Sequence, residues 1–398
     1  MSLSPRITAL APSATMAVDA KAKALRAAGE PVIGFAAGEP DFATPDHIVE
    51  AARAAAADPA MHRYTPAAGL APLREAIAER ARRDGLDVSA DMVVVTNGGK
   101  HALYNVFMAL IAPGDEVLVP SPYWVSYPEQ IGLAGGTCVP VPSDAASGFR
   151  VSVEQLERAR TDRTRALVFV SPSNPTGAVY PPEEVAAIGR WAAEHDVWVI
   201  TDEIYRDLVY GDARFASLPV VAPEAAPRTV IVDGVAKTFA MTGWRVGWSI
   251  APPEIAAGIA KLQTQLCSNV NNVAQAAALA ALTGPTAPVD AMRVAFDRRR
   301  RAAVDGLRAI PGLEVVEPEG AFYVYPSVRE LMGATIAGRT VRSSLELAEV
   351  LLDEAKVAVV PGEGFGSEAS FRLSYALADD DLAEGIARIG ALLADVTP

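Results

Sequence analysis

Two cations stand eight residues apart in the segment 233–248, "DGVAKTFAMTGWRVGW", which is otherwise small, apolar and aromatic. Surface lysines usually sit among other charges, and Lys237 does not. Burial and a nearby cation both lower the pKa of a lysine, so Lys237 is a candidate for an amine that is neutral part of the time. Such an amine can form a Schiff base with a carbonyl compound. Arg245 stays charged and is suited to binding an anion.

Further side chains that could bind a ligand or take part in catalysis follow short apolar runs that the sequence predicts to be strands. Asp202 and Tyr205 come after "VWVIT", Asn174 lies in "SPSNPTG" after "ALVFV", and Trp124 lies in "SPYW" after "EVLVP". Open parallel sheets bind ligands at the carboxyl ends of their strands, so these groups are expected to meet there. Each also has a simpler explanation. Asp202 could cap a helix, and Asn174 could belong to a turn whose Asn-Pro bond is a candidate for the cis form.

A glycine pair follows another apolar run, "MVVVT", and opens the predicted helix "HALYNVFMAL". Gly98, Gly99 and Lys100 would present backbone N–H groups at the positive end of a helix dipole, which suits a phosphate. A plain tight turn is the alternative. The pattern is not a Walker loop, and no G-x-G-x-x-G follows a first strand, which argues against a dinucleotide.

These groups together match the needs of pyridoxal 5′-phosphate (PLP). Its phosphate requires a helix start and a cation, and its ring nitrogen requires a carboxylate. Its 3-oxygen requires hydroxyl or amide donors, its ring a flat partner, and its aldehyde a lysine with a lowered pKa. Five such groups at successive strand ends favour a PLP site over five separate coincidences.

Positioning these groups requires a parallel sheet. Short β-branched runs alternate with helical patterns such as Pro182–His195, which predicts βα units over residues 48–290. We therefore expect an α/β protein with a three-layer α/β/α large domain at 48–290. A smaller, discontinuous α/β domain is predicted from residues 1–47 and 291–398, with strands at "AFYVYP", "VAVVPG" and "FRLSYAL".

Composition excludes several classes of protein. The 398-residue chain has 48 acidic and 35 basic residues, a formal charge of −13, which argues against nucleic acid as a partner. The arginine run "DRRRR" is interpreted as the solvated face of a long helix, with nucleic-acid binding as the alternative. Neither cysteine, Cys138 or Cys267, has a metal-ligand neighbourhood, so no metal is expected. The absence of a signal peptide or membrane span predicts a cytoplasmic location.

The chain also resembles a known family, the class I, fold-type I PLP-dependent aminotransferases, and within it the bacterial aspartate aminotransferase subgroup. The resemblance runs almost end to end, and its most specific signals are the lysine segment and "NPTG". The matching segments are "GEPDFATP", "RYTPAAG", "TNGGKHAL", "SPYWVSYPE", "SNPTGAVY", "DEIYRDLVY", "AKTFAMTGWRVGW", "GAFYVYP", "VVPGEGFG" and "RLSYA".

The resemblance implies a role for each matching residue around the cofactor. Lys237 would form the Schiff base and shuttle the α-proton, and Arg245 would hold the phosphate. Asp202 would pair with the pyridinium nitrogen, while Tyr205 and Asn174 would hydrogen-bond the 3-oxygen. The further contacts that it implies are stacking by Trp124 and a phosphate-side helix start at Gly98, Gly99 and Lys100.

The resemblance also implies the substrate and subunit contacts. Arg372 would hold the substrate α-carboxylate, a bidentate task suited to guanidinium, and Gly38 would line the same pocket through its backbone. Tyr64 would reach the phosphate of the neighbouring subunit, which implies a homodimer with shared sites. Lys100 is the candidate for a distal carboxylate, with an ordinary helix-start lysine as the alternative. Other predicted substrate contacts are Trp124, Asn174, Ser13 and Thr15.

Two positions depart from common patterns. Many relatives have serine before the Schiff-base lysine, where this chain has Ala236. Ala11 stands where some subgroup members carry a lysine associated with accepting prephenate, which puts that side activity in doubt.

The predicted activity is ping-pong transfer of an amino group from aspartate to 2-oxoglutarate, giving oxaloacetate and glutamate. Alternatives on the same scaffold are an aromatic, alanine or prephenate/arogenate aminotransferase and a carbon–sulfur lyase. A PLP-binding regulatory module without efficient catalysis is a further alternative. The complete catalytic set and the lack of a DNA-binding extension speak against it.

Overall fold

A computed structural model describes residues 3–11, 14–394 and 396, excluding the side chains of residues 14–17 and 19. Helices α1 to α14 span Pro5–Thr8, Ala14–Ala27, Asp46–Ala57, Ala71–Arg83, Gly99–Leu110, Ser126–Ala134, Val153–Ala159, Pro182–Glu194, Leu218–Val221, Pro253–Leu266, Asn272–Thr283, Ala287–Arg308, Ser344–Glu354 and Asp379–Leu393. Strands β1 to β14 span Ile33–Gly34, Val93–Thr96, Glu116–Ser121, Thr137–Pro142, Thr164–Val170, Trp198–Asp202, Thr229–Gly234, Gly247–Ile250, Tyr323–Val324, Thr335–Ile336, Arg339–Thr340, Val357–Ala358, Val360–Pro361 and Phe371–Ser374.

Seven strands form the central sheet, in the order β2-β8-β7-β6-β5-β3-β4. Neighbouring strands run parallel, except that β8 runs antiparallel to both β2 and β7. The apolar runs of the sequence form the inner strands β2, β6 and β7, which are buried at every position because the sheet is covered on both faces there, whereas the edge strand β4 is partly exposed. The predicted, mainly parallel sheet is confirmed.

Helices cover both faces of this sheet. Val93 and Val95 of β2 pack with α3, α4 and α11 on one face, whereas Val94 packs with α5 on the other. In β6, Ile200 packs on the α5 side and Val199 packs with α8. Successive side chains of a strand point to opposite faces, so alternate residues belong to different cores. The three-layer α/β/α arrangement follows.

The C-terminal part of the chain forms a second core. Strands β13, β14 and β9 make an antiparallel sheet, and α12, α13 and α14 pack around it. The short strand β1 pairs in parallel with β12, which attaches the N-terminal segment to this part of the fold. The exact division at residues 47/48 and 290/291 stays a prediction.

The arginine run on α12 lies differently from the sequence interpretation. Arg299 and Arg300 are buried, with exposed fractions of 8% and 6%. Arg299 bridges Asp41 at 2.8 Å and Asp379 at 2.7 Å, which ties the N-terminal segment to α14. The interpretation as a solvated face is therefore wrong for Arg299 and Arg300, because ion pairs allow these cations to be buried.

Three further features concern the described residues only. None of their helices is long and apolar enough to cross a membrane. Their His, Cys, Asp and Glu side chains form no group of three or more that could hold a metal ion. Cys138 and Cys267 are both free thiols.

Candidate active site

One cavity of about 250 Å³ lies at the carboxyl ends of the central strands, with β14 on its other side. It is lined by many of the residues singled out from the sequence, namely Gly38, Gly99, Lys100, Trp124, Asn174, Asp202, Tyr205, Lys237, Arg245 and Arg372. A larger groove of about 780 Å³ lies between α12 and α14, but none of these residues lines it. The cavity at the strand ends is therefore the candidate site.

Lys237 lies in the loop after β7, and its Nζ donates a hydrogen bond to the carbonyl oxygen of Gly38. Burial lowers the pKa of Lys237 to about 8, together with the positive charges of Arg372 and Arg245 and against the opposing charge of Glu39. With that pKa, roughly a tenth of the amine is neutral at pH 7. The lowered pKa expected from the apolar sequence context is present.

Asp202 is the last residue of β6 and is buried. Its Oδ2 accepts a hydrogen bond from Tyr127 Oη at 2.7 Å, and its Oδ1 accepts one from the Ile204 N–H at 3.3 Å. Burial raises the pKa of Asp202 to about 6, although both hydrogen bonds oppose the rise. The carboxylate is therefore ionised at neutral pH inside a buried site, ready to pair with a cationic group.

The start of α5 and Arg245 form one end of the cavity. Gly98 has φ +85°, and a Cβ at that position would lie 2.6 Å from Arg245 Nη2. A Cβ at Gly247 would lie 2.4 Å from the Gly99 nitrogen, so the glycine also lets β8 approach the helix start. The free N–H groups of a helix start beside a guanidinium make a cradle for an anion.

Arg372 lies in β14 and is buried, with an exposed fraction of 2%. Its Nη1 donates to Asn174 Oδ1 at 2.9 Å and its Nη2 to the Ala36 carbonyl at 2.8 Å. Its Nε is buried without a hydrogen-bond partner among the described residues. A buried cation with an unused donor in a cavity is suited to a carboxylate ligand.

Asn174 is held beside Arg372 by the turn that the sequence singled out. The Asn174-Pro175 peptide bond, which the sequence made a candidate for the cis form, is cis. Two further X-Pro bonds, Ser121-Pro122 and Ser171-Pro172, are also cis. Asn174 and Arg372 therefore line the cavity side by side.

Two buried tyrosines were missed by the sequence reasoning. Tyr323 Oη lies 2.7 Å from Tyr205 Oη, and the Arg372 guanidinium lies 4.5 Å from the centre of the Tyr323 ring. Tyr127 binds Asp202, as described above. Both lie in segments that carry the family resemblance, "GAFYVYP" and "SPYWVSYPE". That resemblance was a signal for these positions, but the contacts of the two tyrosines are visible only in the tertiary structure.

Lys100 and Trp124 lie together at another wall of the cavity. The Lys100 ammonium is 4.8 Å from the centre of the Trp124 ring, close enough for a cation–π contact. Burial lowers the pKa of Lys100, and the charge of Arg245 adds to the effect. Lys100 thus lines the cavity from the first turn of α5, although its side chain is also open to solvent.

The remaining predicted residues lie at the edge of the site or beyond it. Tyr64 is 89% exposed and lines no part of this cavity. Ala236 lines the cavity, and the Ala11 N–H donates to Glu129 Oε2 at 3.1 Å. Ser13 and the side chain of Thr15 lie outside the described part of the chain.

The fold and the cavity define a three-layer α/β enzyme with a buried lysine opposite a buried carboxylate. Residues 30–389 match the family model for aminotransferases of class I and II, and the chain belongs to this family.

Named relatives and solved structures agree with this assignment. The chain is 59% identical to an aspartate aminotransferase of Streptomyces avermitilis, covering 99% of this chain and 97% of that protein. It is 47% identical to an aspartate aminotransferase of Geobacillus stearothermophilus, covering 98% of each. The crystal structure of an aspartate aminotransferase from Rhizobium meliloti superposes with a TM-score of 0.96 at 38% identity, covering 100% of both chains. The predicted family and fold class are thus confirmed.

Proposed function

We propose that the protein is an aspartate aminotransferase that uses PLP to exchange amino groups between aspartate and 2-oxoglutarate. The observation that carries the proposal is the pairing, in one cavity, of the buried amine of Lys237 with the buried carboxylate of Asp202. Arg372, with a free donor, faces the same space. The names of the relatives support aspartate as the amino donor.

The donor set fits PLP. The cradle of Gly98, Gly99 and Arg245 suits the phosphate, because only glycine leaves room there for the guanidinium. Asp202 suits the ring nitrogen, and Tyr205 with Asn174 suits the 3-oxygen. Trp124 offers a flat face, and Lys237 offers the amine for the aldehyde. When bound, PLP supplies an electron sink for the charge that develops at the substrate α-carbon.

Lys237 is the proposed proton carrier. Its Nζ is neutral in roughly a tenth of molecules at pH 7, given a pKa near 8, so it can take a proton from the substrate and return it. The positive charge of Arg372 disfavours the ammonium form of Lys237 and so raises the neutral fraction. A positioned base of this kind contributes about 10²–10⁴-fold to a rate.

Substrate orientation is assigned to two cations. Arg372 would bind the α-carboxylate with its unused Nε, and Lys100 would bind the distal carboxylate of a dicarboxylic acid. One similar solved structure is an aspartate aminotransferase from Thermus thermophilus with maleate, a dicarboxylate (TM-score 0.93, 44% identity, covering 99% of this chain and 100% of that one). It supports a pocket for two carboxylates. Ser13 and Thr15 stay predictions for the same pocket.

A panel of amino acids tests the proposed substrate. The purified protein loaded with PLP should convert aspartate faster than alanine, phenylalanine or a sulfur-containing amino acid. Lys100→Ala should lower kcat/KM for aspartate and leave alanine nearly unchanged. Lys261→Ala, at an exposed lysine of α10, is the matched control and should change neither. Equal losses on aspartate and alanine would argue against the distal role of Lys100.

A chemical test addresses Lys237 directly. Borohydride reduction of the PLP-loaded protein, followed by peptide mass spectrometry, should find the cofactor attached at Lys237. Lys237→Ala should show no attachment and almost no turnover. Attachment at another lysine, or substantial turnover in the variant, would refute the assignment.

Prephenate is a second candidate acceptor because several relatives are named for it. An aspartate/prephenate aminotransferase of Thermus thermophilus is 47% identical over 98% of both chains. Ala11, where some subgroup members carry lysine, speaks against this activity. Adding prephenate to the panel decides between one acceptor and two.

We also propose a homodimer with shared active sites, in the cytoplasm. The family resemblance is what supports the dimer, and the 89% exposed ring of Tyr64 is free to make the contact with a second subunit that the resemblance implies. Light scattering should give twice the chain mass, and Tyr64→Phe should weaken PLP binding. A monomer with full activity would refute the shared site.

A further inference from the structure

Tyr127 lies in the first turn of α6 and lines the cavity, with an exposed fraction of 1%. Its hydroxyl donates to Asp202 Oδ2 at 2.7 Å. Its ring packs edge-on against Trp124, with ring centres 5.5 Å apart. The packing fixes the direction of the hydroxyl, so its proton points at one carboxylate oxygen.

Asp202 needs support to stay charged. Burial disfavours its anion, and the neighbouring carboxylate of Glu203 adds to that effect. The ammonium of Lys237 and the hydrogen bonds from Tyr127 and the backbone act in the opposite direction. Burial raises the pKa of the nearby Tyr205 phenol, and the charge of Asp202 adds to that rise. Among the described residues, Tyr127 is the only one whose side chain donates a hydrogen bond to the Asp202 carboxylate.

The Tyr127 hydroxyl is a permanent donor. Burial and the charge of Asp202 raise the pKa of Tyr127 well above its ordinary value, so the phenol keeps its proton at every working pH. A hydrogen bond donated to a carboxylate stabilises the charged form over the neutral form. An acid and a pyridine nitrogen in contact share one proton, and support for the carboxylate moves that proton towards the nitrogen.

We propose that Tyr127 is a positioning residue that holds the negative charge on Asp202 and thereby keeps the cofactor ring nitrogen protonated. This inference rests on the proposed function, because it requires PLP at this site. It assigns a role to a residue that contacts the carboxylate rather than the substrate.

The test is the ¹⁵N NMR signal of PLP labelled at its ring nitrogen and bound to the full chain. The wild type should show a protonated ring nitrogen. Tyr127→Phe should move the signal towards that of neutral pyridine, corresponding to at least a tenfold change in the proton-sharing equilibrium. Tyr180→Phe is the matched control, because Tyr180 is also buried and its hydroxyl binds only the Val151 N–H among the described contacts. It should leave the signal unchanged.

A second variant removes any dependence on how well Tyr127→Phe folds. Incorporation of 3-fluorotyrosine at position 127 keeps the ring and the hydroxyl but makes a stronger donor. It should move the signal further towards the protonated nitrogen. In an Asp202→Asn background, Tyr127→Phe should have no additional effect, since the supported charge is absent.

The outcomes separate the two proposals. If the wild type binds no PLP, or binds it with a neutral ring nitrogen, the proposed cofactor site fails. If the wild-type nitrogen is protonated and neither change at position 127 moves the signal, the role of Tyr127 is overturned while the proposed function stands.

Discussion

Replacing Lys237 with methionine should stabilise the cofactor-free protein at neutral pH. The amine is buried and faces Arg372 and Arg245, and both burial and these charges lower the pKa of Lys237 to about 8. Folding therefore has to accommodate a cation where an apolar side chain would fit. Methionine fills similar space without a charge, because it is unbranched and adaptable.

The size of the effect follows from the pKa difference. An ordinary lysine titrates near 10.4 in an unfolded chain, about 2.4 above the folded value, which corresponds to about 3 kcal/mol at pH 7. Between about pH 8 and pH 10.4 the unfolded state binds more protons than the folded state, so wild-type stability rises with pH there. Above that window both states are neutral, and the part of the difference between wild type and Lys237→Met that comes from the charge disappears.

Urea unfolding of the cofactor-free protein from pH 7 to pH 10.5 measures this difference. Lys237→Met should exceed the wild type by up to about 3 kcal/mol at pH 7, and the two should converge as the pH rises. Lys261→Met, at an exposed lysine, should show a small difference that does not change with pH. A Lys237→Met protein that is less stable than the wild type at pH 7, or a difference independent of pH, would refute the reasoning.

Other variants test the substrate, phosphate and ion-pair contacts. Arg372→Lys should lower kcat/KM about 10–100-fold for aspartate and alanine alike, because one charge-assisted hydrogen bond to the shared α-carboxylate is lost; a loss for aspartate alone would contradict this role. Gly98→Ala should weaken PLP binding at least about tenfold in a fluorescence titration. An alanine at this positive φ is strained, and its Cβ would displace the Arg245 guanidinium. Unchanged affinity would rule out the cradle. Arg299→Ala should lower the free energy of unfolding by about 2 kcal/mol, and Arg298→Ala, at a 60% exposed side chain, by less than about 1 kcal/mol. Equal losses would show that burial does not set the strength of these ion pairs.

Much of the fold could be predicted from the order of local signals. Apolar runs such as "RALVFV" show no alternation of apolar and polar residues. Strands that are buried on both faces have such continuous runs, so a parallel sheet with helices on both faces was predictable. Observed helix ends lie within a few residues of those expected, as for Pro182–Glu194 and Gly99–Leu110. Glycine, proline and polar residues mark these ends because they act locally on the backbone.

The arginine run shows where local reasoning fails. Sequence alone places four cations on one helix and favours a solvated face. Only the fold reveals that Asp41 and Asp379, from distant parts of the chain, meet Arg299. Pairing with residues far along the chain has no local signature, so burial of such charges cannot be read from spacing.

The sequence by itself determined which chemical groups stand at the strand ends, because strand and turn signals are local and parallel strands end at one edge. It therefore indicated Lys237, Asp202 and the glycine pair. The tertiary structure alone decided what surrounds them. Tyr127 reaches Asp202 across 75 positions of chain, and Arg372 reaches Asn174 across 198. The charge state of a buried group depends on such neighbours and on its distance from water, and both exist only after the chain has folded.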